Sequence, residues 1–149
     1  MGTEARRHSQ QREKRLLNAW MWDQHREDLQ WRNARLGQLP TKQLARMYLT
    51  TLRYADAIYI KDGVVYIVEA KLTPDVRAFG QLELYRKLFP ATLEFTQFKN
   101  YPIKMVFLTM LPDINLMELA SEKGILYELY DIDQLNAALH EMQLPIIED

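Results

Sequence analysis

The chain has 149 residues, of which 48% are hydrophobic and 26% charged, which is typical of one globular domain with a real core. The absence of cysteine excludes a disulfide framework and a thiolate metal site. The apolar runs are too short to cross a bilayer, and the first residues are polar and basic, unlike a signal peptide. We therefore expect a cytoplasmic protein with no membrane contact.

The net charge of -1 hides an uneven distribution along the chain. Residues 1–110 carry 18 Lys and Arg against 11 Asp and Glu, whereas residues 111–149 carry one lysine against nine acids. A basic body can hold phosphates, and an acidic end is typical of a solvated edge or of a protein contact. Both regions fit ordinary solvated faces equally well, so charge alone leaves the partner open.

The N-terminal third is predicted to form one long helix followed by a strand. Residues 1–10 are interpreted as a basic flexible arm. Residues 11–36 fit a helix with a broad apolar stripe that ends before Gly37 and Pro40. Residues 43–53 fit a strand or a helix, and the run Tyr-Leu-Thr-Thr favours a strand.

The middle of the chain predicts two strands and a helix. The strands cover 54–60 and 64–72, and Asp62-Gly63 between them is typical of a two-residue type I′ turn. Thr73-Pro74 then opens a helix to about Phe89, with threonine as the cap and proline at the first position. Residues 90–102 are expected to be a loop.

The last third predicts a buried strand, a helix, a strand and a short helix. The strand at 103–111 is apolar enough to be buried on both faces. A helix from Asp113 closes at Gly124, and a strand at 125–130 and a helix at 133–143 follow. The complete order predicts a single α/β domain over 1–149, with a mixed central β-sheet, flanking helices and an acidic C-terminal extension at 112–149.

The predicted hairpin brings two carboxylates together. A type I′ turn pairs Lys61 with Val64 and therefore Asp56 with Glu69, with Cβ atoms about 4.5–5.5 Å apart. Lys71 falls on the same face of the sheet. Two like charges about 5 Å apart repel by about 3 kcal/mol at an effective dielectric of about 20.

A bound divalent cation would remove this repulsion, because hard Mg²⁺ or Mn²⁺ prefers carboxylate oxygens. A plain ion pair of Asp56 or Glu69 with Lys71 is the alternative, and it needs no metal. The next helix places Gln81 and Tyr85 on its inward face, near these groups. They could bond the carboxylates or a phosphate, or they could merely cap a loop and fill the core.

Asp56, Glu69-Ala70-Lys71 and the spacing Gln81-x-x-x-Tyr85 together resemble the PD-(D/E)XK nuclease superfamily, in particular its RecB-type exonuclease branch. The resemblance covers roughly residues 11–111. It implies an αβββαβ restriction-endonuclease-like core, here followed by a C-terminal αβα extension. It also implies a small, stand-alone, metal-dependent nuclease that hydrolyses phosphodiesters in DNA.

The resemblance assigns roles to these residues. Asp56, Glu69 and the backbone carbonyl of Ala70 would bind magnesium or manganese. Lys71 would orient or deprotonate the attacking water and stabilise developing charge. The remaining two, Gln81 and Tyr85, would support the site and the nucleic-acid backbone.

Members of this superfamily often add an acidic residue from the first helix, and Glu27 is the candidate here. His25 could replace the histidine that some RecB-like members carry upstream. The proline that commonly precedes the aspartate is replaced by Ala55. Three other acids are alternatives to Glu27, and a salt bridge at the surface fits each of them: Glu13, Asp23 and Asp28.

Basic residues near the start of the chain and after the hairpin are candidates for nucleic-acid binding: Arg12, Lys14, Arg15 and Arg77. The first three equally fit a solvated helix start. The rival hypothesis is a structural part of an assembly with the same fold, such as a phage head-completion or neck protein. A homo-oligomer or larger assembly, with the protein inside a virion, would then be expected.

Overall fold

The computed structural model describes residues 2–38 and 52–148. The described elements are α1 (Gly2–His25), β1 (Leu29–Leu36), β2 (Arg53–Lys61), β3 (Val64–Lys71), α2 (Arg77–Leu88), β4 (Ile103–Thr109), α3 (Ile114–Lys123), β5 (Ile125–Leu129) and α4 (Ile132–Glu141). The strands form one sheet in chain order, antiparallel from β1 to β3 and parallel from β3 to β5. The predicted α/β class, with a mixed sheet and flanking helices, is confirmed.

The first helix begins and ends earlier than predicted. α1 includes residues 2–10, which were expected to be a flexible arm, and it stops at His25, so the prediction of a helix to Leu36 is wrong. The chain turns there because the N–H of Asp28 donates to the carbonyl of His25 at 2.9 Å. Residues 29–36 instead pair with β2. Most of the strand predicted over 43–53 lies outside the described residues.

The β2–β3 hairpin has the predicted turn and register. Asp62 and Gly63 have φ values of 52° and 76°, as a type I′ turn requires. Lys61 pairs with Val64, and Ile58 pairs with Ile67. The turn therefore sets which side chains of the two strands share a face.

Two apolar layers cover the sheet. One contains Ile58 and Ile67 together with Phe79 and Leu82 of α2. The other packs Val68 against Leu16 and Trp20 of α1, with α4 beside them. β4 contributes to both layers, through Met105 and Phe107 on one side and Val106 and Leu108 on the other, as expected for a strand buried on both faces.

The helix after the hairpin starts later than predicted. α2 begins at Arg77 and has no side-chain cap, so Thr73 and Pro74 precede the helix. Asp75 instead contacts the first residue of the helix, because its carboxylate accepts a hydrogen bond from the backbone N–H of Arg77 at 3.0 Å. Part of the predicted loop at 90–102 is built from 3₁₀ turns at residues 89–91 and 93–98.

The C-terminal elements match the prediction closely. Asp113 caps α3, and Gly124 ends it with a φ of 71°. Asp131 and Gln134 form a capping box at the start of α4. No helix among the described residues is long and apolar enough to span a membrane.

Candidate functional site

Asp56 and Glu69 meet where β2 and β3 separate. Ladder pairing ends at Ala57 and Val68. One step further, the N–H of Asp56 donates to Oε1 of Glu69 at 3.2 Å, and the N–H of Ala70 donates to Oδ2 of Asp56 at 2.9 Å. Each carboxylate thus accepts a strand N–H that would otherwise bond a carbonyl, and the structure brings the two side chains together as the register predicts.

β2 departs from regular alternation at Asp56. Ala55 packs in the layer of α2, whereas Ala57 packs in the layer of α1. Residues i and i+2 of a strand normally share a face, so the strand turns over between these two alanines. On β1, Asn33 lies between the positions that pair with Ala55 and Ala57, and it has a φ of 49°. This irregularity releases Asp56 from the ladder.

Burial raises the pKa of both carboxyl groups. Glu69 is only 4% exposed, and burial followed by the charge of Asp56 raises its pKa to about 8. Burial also raises the pKa of Asp56, against the hydrogen bond from the N–H of Ala70. Two acids in one buried site resist double ionisation, so the pair retains a proton near neutral pH unless a cation binds.

Lys71 supplies positive charge to this end of the sheet. It follows Glu69 by two residues on β3 and is partly buried. Its attraction opposes the rise in pKa that burial causes at Glu13, Asp56 and Glu69. Among the described residues, however, no ion pair within 4.0 Å joins Lys71 to a carboxylate. A plain lysine–carboxylate pair therefore does not describe the site.

A cleft of about 350 Å³ opens beside Asp56 on the side of α1, and Glu13 and Lys14 line it together with Gln10 and Leu17. Burial raises the pKa of Glu13, and Lys71 and the N–H of Leu72 oppose that rise. Glu13 also raises the pKa of Glu69. Glu13 is therefore the acid of α1 that acts electrostatically on the carboxylate pair.

Glu27, the preferred candidate from the sequence, lies elsewhere. It is exposed in the turn between α1 and β1, because the helix ends at His25. The expectation that it lies on the first helix is therefore wrong. Glu13 could have been found from its spacing, since it lies three residues before Leu16 and seven before Trp20, at the end of the buried stripe.

His25 packs away from the carboxylates. Its ring stacks on Tyr59 with centroids 3.9 Å apart, and its Nδ1 lies 2.9 Å from the carboxylate of Asp28. Trp20 meets it edge-on at 4.6 Å. This histidine closes α1 and joins the core.

The two α2 candidates differ in burial. Tyr85 is 5% exposed, and its pKa is raised to about 12 by burial first and then by the charges of Glu69 and Asp56. Its hydroxyl therefore lies in the field of the pair. Gln81 is exposed, so the expectation that it is a buried inward amide is wrong.

The basic candidates are spread around the cleft. Lys14 lines it directly, and Arg12 lines two neighbouring clefts of about 240 and 450 Å³. Arg15 contributes to the smaller of these. Arg77 is almost fully exposed and forms a bidentate contact with Asp75, with a shortest distance of 2.9 Å.

The carboxylate pair suits a hard divalent cation. Among the described residues, no cluster of three or more Asp, Glu, His or Cys side chains is arranged to hold a metal. Magnesium, however, is commonly held by one or two protein carboxylates plus water and substrate phosphate. Asp56 and Glu69 provide two such carboxylates. A bound cation would replace the proton that the pair retains because the pKa of each carboxyl group is raised. The engaged group of Ala70 is its N–H, and the role of its carbonyl stays a prediction.

Comparison of the chain with protein-family models, curated proteins and solved structures found no match.

Proposed function

We propose that this protein is a Mg²⁺- or Mn²⁺-dependent nuclease that hydrolyses phosphodiesters in DNA. The observation that carries the proposal is the pair Asp56–Glu69, held by reciprocal backbone contacts at the open end of a hairpin. A chain that folds only for stability gains nothing from a buried and a half-buried acid side by side with raised pKa values. Such a pair is explained by a bound cation.

The order of elements supports a restriction-endonuclease-like core. α1 is followed by the antiparallel strands β1 to β3, then by α2 and by β4 parallel to β3. This is the αβββαβ order of the PD-(D/E)XK superfamily, and α3, β5 and α4 form the C-terminal extension. The position of the two carboxylates on the neighbouring strands β2 and β3 also supports the proposal.

Each residue of the site would have a separate role in the proposed reaction. Asp56 and Glu69 would hold the ion, which when bound supplies charge neutralisation and activates water. Lys71 offers a protonated amine that can orient water or a phosphoryl oxygen beside the pair. Glu13 narrows the cleft from the side of α1, and Tyr85 provides a hydroxyl next to Glu69.

The test is cleavage of linear and circular DNA with magnesium or manganese by the wild type and two variants, Lys71→Ala and Glu69→Ala. We expect both variants to lose at least about 100-fold in rate. Lys61→Ala is the matched control, since Lys61 is exposed at the far end of the same hairpin. It should cut like the wild type.

Equal cutting by all four proteins would indicate a contaminating nuclease. If none of them cuts, the catalytic proposal fails. Calorimetric titration with Mn²⁺ separates these cases further, because the wild type should bind the ion and Glu69→Ala should not.

One observation favours the rival role in an assembly. Ile114 is 80% exposed, Met117 39% and Leu126 40%, all within the acidic part of the chain. Exposed apolar side chains of this kind are common at protein contacts. Light scattering of the wild type and Ile114→Ser tests it, since an oligomer whose contact includes Ile114 should dissociate in the variant. A monomeric wild type would remove the support for self-assembly.

A further inference from the structure

A second cleft lies further along α1 from the carboxylates. It has a volume of about 360 Å³ and is formed where α1, β1 and the residues after α4 meet. Its polar lining is Asn18, Arg26, Gln30 and Arg32, and Trp22 provides an aromatic wall. Neither the carboxylate site nor the packing of the core accounts for two arginines here.

The positive charge of the two arginines is not neutralised. The Arg26 guanidinium lies 4.3 Å from the ring centroid of Trp22 and donates to the Trp22 carbonyl at 3.3 Å. Arg32 donates to Oδ1 of Asn18 at 3.3 Å and to Oε1 of Gln30. Within the described part of the chain, neither arginine forms an ion pair with a carboxylate within 4.0 Å. The neutral partners orient the guanidinium groups and leave their charge available.

Two acids close to Arg26 in sequence, Asp23 and Asp28, are engaged elsewhere. Asp23 accepts a hydrogen bond from the hydroxyl of Tyr130 at 2.8 Å, and Asp28 faces His25. Arg32 is exposed, but partial burial of its guanidinium in the cleft lowers its pKa. An anion is the ligand that would compensate this guanidinium.

The two clefts are aligned along one face of α1. Lys14, Asn18 and Trp22 recur every four residues, which places them in one row on the helix. Lys14 lines the cleft of Asp56, and the other two line the arginine cleft. Eight residues of helix span about 12 Å, a distance that an extended strand of a few nucleotides can cover.

We propose that the cleft of Trp22, Arg26 and Arg32 binds a backbone phosphate of an unpaired nucleic-acid strand, a few nucleotides from the phosphodiester at Asp56 and Glu69. The inference rests on the proposed nuclease function, whose substrate class it names. An unpaired strand fits better than a duplex, because it can enter a concave cleft and offer a base to the Trp22–Arg26 stack. The arginines hold the strand in position and take no part in the chemistry.

The binding test uses a labelled single-stranded DNA of about 12 nucleotides in EDTA, followed by fluorescence anisotropy. We expect Arg26→Gln/Arg32→Gln to bind about 10-fold more weakly than the wild type. The slope of log affinity against log salt should become less steep by about 0.7, the value for one lost phosphate contact on a single strand. The matched control is Arg86→Gln/Lys87→Gln, which removes the same charge from exposed positions in the last turn of α2.

The control should bind within about 2-fold of the wild type. If both double variants weaken binding equally, only the total charge matters and the proposal is overturned. Equal affinity for a duplex of the same length would overturn the assignment to unpaired strands. Competition by inorganic phosphate or a mononucleotide as strong as by the oligonucleotide would identify a small-anion site and would also overturn it.

A cleavage test separates this proposal from the nuclease proposal. With Mn²⁺, the arginine double variant should cut the oligonucleotide about 10-fold more slowly and hydrolyse the small diester bis-para-nitrophenyl phosphate at the wild-type rate. If the wild type hydrolyses neither substrate while binding still depends on the arginines, the nuclease function fails and the phosphate cleft stands. If the wild type cuts and the arginine variant behaves like the control, the cleft fails and the nuclease stands.

Discussion

The two ends of the β2–β3 hairpin satisfy different requirements. At the turn end, Asp62 and Gly63 adopt the positive φ values of a tight turn, and the strands beside them pair regularly. At the open end, pairing stops, and the buried carboxylate of Glu69 and the half-buried carboxylate of Asp56 accept the strand N–H groups instead. One hairpin therefore combines an end that favours stability with an end that keeps charged groups in a costly environment. Costly polar placement of this kind is characteristic of functional sites.

The largest difference in DNA cleavage rate is expected between two single variants, each of which changes one aspartate at one end of the hairpin. Asp56→Asn removes a proposed metal ligand, so we expect the DNA cleavage rate to fall by about 1,000-fold. Asp62→Asn should cut like the wild type, because asparagine readily adopts the positive φ of this turn. A gel assay with purified proteins measures both rates. Equal activity of the two variants would remove Asp56 from the site.

For the free energy of unfolding, the larger loss is expected from a substitution in the regularly paired part of the hairpin and not at its open end. Ile67→Ala removes a fully buried side chain from the regular ladder and should lower the free energy of unfolding by about 3 kcal/mol. Glu69→Gln, two residues further on, should leave the metal-free protein as stable as the wild type or more stable, because glutamine has nearly the shape of the protonated side chain and cannot ionise in the buried site. Urea unfolding in EDTA measures both. If Glu69→Gln lowered the free energy of unfolding as much as Ile67→Ala does, the acids at the open end would stabilise the fold, contrary to the prediction.

The pH dependence of unfolding should reveal the buried acid at the open end. Glu69 ionises with an ordinary pKa of 4.5 when unfolded and with a pKa of about 8 in the fold. The folded state thus binds the proton more tightly, and the metal-free protein loses stability as pH rises from about 4.5 to about 8.

The melting temperature of the wild type should therefore fall by about 5 °C more than that of Glu69→Gln over this range. Mn²⁺ should reduce the difference, because the cation stabilises the ionised pair. Parallel pH slopes for the two metal-free proteins would show that Glu69 does not titrate as proposed.

The smallest expected effect concerns the turn. Gly63 has a φ of 76°, so Gly63→Ala should cost about 1 kcal/mol through backbone strain. The control is Gly80→Ala in α2, where an added methyl group meets no atom within 4 Å and alanine favours the helix by up to about 1 kcal/mol. Thermal unfolding should shift in opposite directions. Neither variant should change cleavage, since both lie away from the carboxylates.

The long N-terminal helix shows where sequence patterns failed. The apolar residues between Leu16 and Trp31 fit one helical stripe, but the chain turns after His25 and Trp31 belongs to β1. Pairing with β2 decides this, because Trp31 packs there against Phe95 and Phe98, which are distant in sequence. The wrong helix boundary led directly to the choice of Glu27 over Glu13.

The arginine cleft could not be predicted for a similar reason. Arg26, Arg32 and Trp22 carry no motif, and the residues after α4 that close the cleft are more than 100 positions away along the chain. A charge count finds basic residues but not whether acids neutralise them. That depends on Asp23 and Asp28 having found other partners.

Local chemistry in the sequence determined the hairpin turn, its register, the buried strand at 103–109 and the caps of the last two helices. These features depend on backbone preferences of a few neighbouring residues, which act before any distant contact forms. The meeting of Asp56 and Glu69 follows from them. Only the tertiary structure decided which acid of α1 acts electrostatically on the pair, that Gln81 faces solvent, and where unneutralised positive charge remains. Those outcomes depend on how α1 and α2 pack across the sheet, and packing is settled by the sum of contacts between segments that are far apart in sequence.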